Sequence, residues 1–205
     1  VDVPNLLYGT DRPIDMGRLL DYLADGREVV RATAYAPVSD NPMEPVQQQR
    51  FVAPFVPYEY RIVTKPLKRF ADGSIKGNFD VEMAVDMRTM AGRLDVVAIV
   101  SGDADFARVV EEIQSKGVRV EVVAFAGSTS QEMRSLADRY VEVGAITRPE
   151  RYFLIAATGD ELLDWREMVA AFPGARHRVV EGSDHGLSDF AANVDAVLAF
   201  AGIGT

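Results

Sequence analysis

The sequence has no cysteine, one tryptophan (Trp165) and two histidines, His177 and His185. Without cysteine it can form neither disulfides nor thiolate metal sites. So few histidines fit a zinc centre poorly, because zinc is usually held by nitrogen or sulfur. No apolar run approaches the roughly 20 residues that a membrane helix needs, and no charged-then-apolar leader stands ahead of the first strand-like segment. Cytoplasm is the default location on this reading, with no membrane partner. Positive charge is also scarce: 22 basic residues face 31 acidic ones, a net charge of −9. That balance argues against a protein that coats nucleic acid by charge alone, although an enzyme holding cations with carboxylates carries part of its negative charge in the site. At 205 residues and 48% hydrophobic, the chain can build one large domain, or one domain with an appendage.

Segments of strand and helix character alternate, which predicts an α/β fold with a mainly parallel sheet covered by helices. Strands are expected within 26–38, 58–67, 94–100 and 118–125. A short helix is expected in the Pro-rich stretch 41–55, and longer ones over 80–92, 105–117 and 130–143, the last running into a short strand. Over 80–92 the spacing sets Val81, Ala84 and Val85 on one helical face, adjoined by Met83, Met87 and Met90. The pattern pauses at Gly and Pro in 144–150, giving a domain over 1–145 and a second βαβα segment over 151–205. That segment is too small to bury both faces alone, so it is expected to extend the first sheet or to pair with another chain, making a homodimer. Val1 and Asp2 read as the last residues of a buried strand whose first half is missing.

Acidic residues recur at strand ends. In AIVSGDADF (98–106), an apolar strand runs into a small-residue turn carrying Asp103 and Asp105, with a helix behind it. In parallel sheets, ligand sites gather at the carboxyl ends of strands. Two acids there repel each other unless a cation or proton intervenes, which makes the pair a candidate metal site. The alternative is that Asp105 merely caps the following helix. VDVPN (1–5) adds Asp2 at another strand end, with Asn5 three residues on, and KGNFDVEMAVD (76–86) puts Asp80 at a helix start. Such an oxygen-rich set suits Mg²⁺ or Mn²⁺. Asp86 falls on a different helical face from Asp80 and is left out of the set. The segment 61–77 carries Arg61, Lys65, Lys68, Arg69 and Lys76 with few acids, and such a stretch can grip a phosphate backbone. Tyr58 and Phe70 are candidates for stacking on bases. The alternative for these residues is an ordinary solvated basic loop with a packed Phe70.

VDVPN, KGNFDVEMAVDM and VAIVSGDADFARVVEEIQSKGVRVEVVAF together resemble the motifs of NYN domains, in the LabA-like branch of the PIN-like nuclease fold. The resemblance covers residues 1–145. It implies a three-layer α/β/α sandwich, Rossmann-like in its mainly parallel sheet, with an acidic pocket that holds Mg²⁺ or Mn²⁺ and cleaves RNA. By motif, the catalytic and metal-binding residues would be Asp2, Asp80, Asp103 and Asp105. Asn5 and Ser101 would support them; the basic stretch read above, with Lys65, Lys68, Arg69 and Lys76, is the candidate for contacting substrate. A binding module that holds RNA without cutting it is the alternative.

The segment 151–190 resembles instead the last βαβα unit of an α/β-hydrolase of the YqiA-like esterases. That resemblance implies an acid at Asp160 in TGDE and a histidine at His185 in GSDHG. Acyl transfer also needs a serine on a sharp strand-to-helix elbow, usually G-x-S-x-G, and no such motif occurs in the chain. A structural role for this segment is therefore expected, with Trp165 as a packing anchor and an incomplete esterase as the weaker reading.

Overall fold

The computed structural model describes residues 1–8, 14–39, 43, 45–69, 75–76, 78–147 and 149–203, with backbone alone at 68–69 and 75–76. The chain divides into two compact units, Val1–Val143 and Gly144–Thr205. Among the described residues, no helix is long and apolar enough to cross a membrane.

The first unit is built on parallel strands. β1 (Ala32–Val38) pairs with β2 (Tyr60–Pro66), and β5 (Val96–Ile99), β6 (Arg119–Ala124) and β7 (Arg139–Glu142) form a second parallel ladder in the order β5-β6-β7. A two-residue antiparallel ribbon, β3 (Lys68–Arg69) with β4 (Ile75–Lys76), lies between them in sequence. The two ladders meet through Val1 and Asp2. Val1 carbonyl accepts the Tyr35 N–H at 3.0 Å, and the Asp2 N–H donates to the Val100 carbonyl at 3.0 Å.

β6 is buried from Val120 to Ala124, as expected of a central parallel strand covered on both faces. Val120 and Val122 lie in a core cluster with Met83 of α3 (Asp80–Met90), Val110 and Ile113 of α4 (Ala107–Gln114) and Met133 of α5 (Gln131–Leu136). Glu121 points to the other face. There Arg27, just past α2 (Met16–Ala24), donates to both of its oxygens at 2.9 and 3.1 Å, and Arg139 stands 3.9 Å away. Helices on both faces of a mainly parallel sheet make this unit the α/β sandwich expected from the alternation of elements. α4 also ends as the sequence indicates, with Gly117 at φ +81°, a left-handed position that favours glycine.

Two local expectations need correction. In α3, Val81 and Val85 are 73% and 55% exposed. The helix instead turns Met83 into the core, with Ala84 and Met87 packed beside it. Flexible methionines can fill the irregular space over the sheet, so the stripe at 83, 84 and 87 outcompetes the β-branched pair. Within 41–55 the described residues form two short 3-10 turns, Val46–Gln48 and Ala53–Phe55. Pro45 and Pro54 flank or enter these turns and lack the N–H that a longer helix would use.

The second unit holds β8 (Phe153–Ala157), α6 (Trp165–Ala171), β9 (Arg176–Val180) and α7 (Val194–Phe200). β8 and β9 are parallel and, among the described strands, pair only with each other. Phe153 stacks on Phe200 at 5.3 Å. Trp165 is half-buried, with the Arg166 guanidinium over its ring.

Glu121 is an acid that depends on its basic partners, because removing one partner of a buried pair strands the other charge. Arg27→Ala is expected to lower stability by about 3 kcal/mol, while Glu121→Gln, which removes the charge itself, costs less. Urea unfolding of the two variants checks the order; an Arg27→Ala midpoint equal to wild type would refute it.

Candidate functional site

Asp2 occupies the point where the two ladders meet. It is 7% exposed and directly precedes α1 (Val3–Tyr8). Its Oδ1 accepts the Asn5 N–H at 3.3 Å, and its Oδ2 accepts the Ser101 hydroxyl at 3.0 Å. Ser101 is itself buried, and its Oγ accepts the Asp103 N–H at 3.3 Å. The Asn5 side-chain oxygen accepts the Gly102 N–H at 3.2 Å. Asn5 and Ser101 thus tie the first strand end to the 101–103 turn. In that turn the Gly102 carbonyl also accepts the Ser130 N–H at 3.0 Å, at the start of α5. Gly102 leaves no room for a side chain, since a Cβ would stand 2.7 Å from the Ser128 carbonyl and from Thr129 Cα.

Asp103 caps the 3-10 turn Ala104–Phe106, its Oδ1 accepting the Asp105 N–H at 3.0 Å. The capping role weighed for Asp105 therefore belongs to Asp103. Asp105 is exposed on the turn, and Phe106 behind it is buried in the core. Asp80 begins α3 and is held by Asn78, whose amide nitrogen donates to Asp80 Oδ2 and whose Oδ1 accepts the Asp80 N–H at 2.7 Å.

The electrostatics connect these segments. Burial pushes the Asp80 carboxyl above its ordinary range, and the charges of Asp103, Asp105 and Glu82 push in the same direction. Burial likewise raises Asp2, with a further push from Asp80, against the hydrogen bonds from Asn5 and Ser101. Among the described residues, no lysine, arginine or histidine forms an ion pair with any of the four aspartates. Nor, in this arrangement, do any three acidic or histidine side chains come close enough to hold one ion between them.

The basic residues divide. Lys65 pairs with Glu82 at 2.5 Å and donates to the Asn78 carbonyl at 3.2 Å, so it braces the segment that carries Asp80. Arg61 lies 3.7 Å from Asp86, which also accepts the Tyr35 hydroxyl at 2.7 Å. Asp86 is therefore occupied, in keeping with its omission from the acidic set. Tyr58 is 40% exposed. The side chains of Lys68, Arg69 and Lys76, and all of Phe70, lie outside the described residues. Sequence reasoning missed Asn78 and Gly102. An Asn two residues before a helix-starting Asp is a turn signal that could have found the first.

In the second unit, His185 Nδ1 lies 3.0 and 3.1 Å from the two Asp160 carboxylate oxygens. Partial desolvation opposes the charged form of Asp160, but the N–H groups of Leu162 and Leu163 and the His185 ring outweigh it and hold the carboxyl below its usual range. An acid–histidine pair has formed, as the hydrolase resemblance implies. Among the described residues no serine hydrogen-bonds His185, and the nearby Ser183 hydroxyl donates to Asp189.

Comparison with known proteins agrees on the first unit. The chain is 31% identical over 157 residues to the low amplitude and bright protein LabA of Synechococcus elongatus, covering 71% of this chain and 82% of that protein. It is 26% identical over 148 residues to an uncharacterised protein of Methanocaldococcus jannaschii, where the match spans 53% of the relative's length. Its fold matches the crystal structure of a Vibrio parahaemolyticus protein of unknown function with a TM-score of 0.60 and 32% identity, over 68% of this chain and 87% of that one. The NYN domain model matches residues 1–145, the span that carries all four aspartates, and on this match the chain belongs to the NYN domain family.

Proposed function

We propose that the first unit is a divalent-metal-dependent ribonuclease that works through Asp2, Asp80, Asp103 and Asp105. The observation that carries this reading is electrostatic. Three separate segments bring carboxylates together: Asp80 is pushed up by burial and then by the charges of Asp103 and Asp105, and Asp2 by burial and then by Asp80, and no basic side chain among the described residues neutralises them. Groups perturbed by burial and by like charge mark functional sites more often than structural ones.

The donor set fits Mg²⁺ or Mn²⁺ in one particular way. Mg²⁺ keeps several of its waters and can be held by one or two direct carboxylates, so holding it does not require three acids to converge. Such an ion supplies a polarised water and neutralises charge on the phosphate under attack. The chain's own residues do the positioning. Ser101 and the Asn5 N–H fix both oxygens of Asp2, Asn78 fixes Asp80, and Asp103 is aligned by the turn it caps. Asp105, free of capping duty, faces solvent where a substrate would enter. Lys68, Arg69 and Lys76, in the ribbon that leads into Asp80, are the candidates for holding the RNA backbone.

A second reading is an NYN module that binds RNA without cutting it. The absence of a three-acid cluster among the described residues favours it, because binding does not require the alignment of water that cleavage does.

Labelled single-stranded and structured RNA, incubated with Mn²⁺, Mg²⁺ or EDTA, separates the two readings. Metal-dependent cleavage that falls at least about 100-fold in Asp103→Asn, a typical loss for one catalytic group, is the expected result. RNA retention without cleavage by the folded wild type would establish the binding module. Repulsion also has a sign. An acid whose folded pKa is raised opposes folding above that pKa, and the opposition fades as pH falls through it. In metal-free protein at neutral pH, Asp80→Asn is therefore expected to raise Tm by about 1–2 °C, a small gain because the site is partly solvent-screened. The gain shrinks as the pH is lowered toward the acidic range; a lower Tm for the variant at neutral pH would contradict mutual repulsion.

A further inference from the structure

α1 follows directly on Asp2 and ends on an aromatic pair. It is six residues long, so at ~1.5 Å per residue Tyr8 stands about 9 Å along the helix from Asp2. Tyr8 is 69% exposed. Its ring meets Phe51 edge-to-face with centroids 5.5 Å apart, and the Arg50 guanidinium carbon lies 5.6 Å from the Phe51 centroid. Tyr8, Phe51 and Arg50 thus form one continuous patch of two rings and a cation.

The patch is held at the same end of the sheet as the acids. Asp2 bridges Tyr35 in parallel, so the carboxyl end of β1 lies on the side where Asp2 opens into α1. Just past that end, the Ser39 N–H donates to Gln49 Oε1 at 2.7 Å, and the Gln49 amide donates back to the Ser39 carbonyl at 3.4 Å. Gln49, Val52 and Phe55 are all buried, so Arg50 and Phe51 stand on backbone anchored from both sides. Arg61 and Lys65 are committed to Asp86 and Glu82. Arg50 is exposed and, among the described residues, enters no ion pair. An open ring backed by a second ring and a free guanidinium is suited to a nucleic-acid base, which stacks on aromatic faces whatever its sequence. Only an unpaired base can splay out to offer such a face. With a net charge of −9, the chain has little general attraction for phosphates, which gives stacking the larger share.

We propose that Tyr8, backed by Phe51 and Arg50, is a stacking subsite for an unpaired base and restricts the first unit to single-stranded RNA. The ~9 Å from Asp2 sets the stacked base about two or three nucleotides from the phosphate at the acidic site, at ~3.4 Å for each stacked nucleotide. The subsite rests on the reading of the first unit as RNA-directed, and holds whether that unit cuts the strand or only binds it.

The probe is a short single-stranded RNA carrying one 2-aminopurine, whose fluorescence falls on stacking, moved stepwise along the strand. The same strands annealed to their complement are the duplex control. Titrations into the full chain are run in EDTA, which stops metal-dependent cutting, and in Mg²⁺ with the Asp103→Asn chain. The expected result is tighter binding of the single strand than of the duplex, with quenching confined to adjacent positions. Tyr8→Ala weakens single-strand binding at least about fivefold, the low end for a lost base stack, and abolishes that quenching. Tyr8→Phe, which keeps the ring, retains both. Single-strand binding and quenching unchanged in a Tyr8→Ala chain that circular dichroism shows folded would overturn the subsite and leave the RNA reading standing. A duplex bound as tightly as the single strand would overturn the selectivity. A folded wild type that binds neither RNA would overturn the subsite together with the reading on which it rests.

Discussion

Backbone hydrogen bonds of one dipeptide link the two parallel ladders of the first unit. Val1 and Asp2 bond to Tyr35 in one ladder and Val100 in the other, and no other residue pairs with both among the described strands. Because the bonds are made by the backbone, the Asp2 side chain remains available, and it emerges where the 101–103 turn leaves β5. With both strand ends paired there, the Ser101 hydroxyl donates to Asp2 at 3.0 Å. The location of the acidic site is thus a consequence of strand pairing. Asn5, one turn into α1, then binds the Gly102 N–H and locks the turn in the same place.

Two kinds of buried acid occur in this unit, and they differ in the partners that meet their charge. Glu121 is 2% exposed and has Arg27 bidentate with Arg139 nearby, an arrangement in which the desolvated charge is matched. Asp2 is nearly as buried but receives hydrogen bonds from Ser101 and Asn5 and no arginine. Asp80 adds charge of the same sign, and Asp103 and Asp105 add it in turn to Asp80. Folding alone gives no reason to assemble such a group, since each added carboxylate makes the others costlier to ionise. On the reading proposed above, a cation bound from solution would remove that cost.

Much of this was legible in the sequence because the parallel strands are short apolar runs ending in small or acidic residues. AIVSGDADF announces both its strand and its turn. The assignment of roles within the turn was not legible, since the cap weighed from the sequence was Asp105, and the backbone path selects Asp103. The buried stripe of α3 was misread for a related reason. Hydrophobicity favours Val81 and Val85, whereas the space above the sheet fits Met83 and Met87. Asn78 escaped attention because its contribution is a local turn with Asp80 that carries no periodic signal. In the second unit, TGDE and GSDHG marked Asp160 and His185, and the two side chains do meet; the missing serine elbow was equally visible.

The central claim is that the four aspartates form a cation site, and calorimetric titration of Mn²⁺ into the metal-free chain tests it most directly. The account predicts saturable binding that is lost when Asp2 and Asp103 are both replaced by Asn in a chain that stays folded. Heats indistinguishable from dilution, or binding unchanged in that double variant, would contradict it.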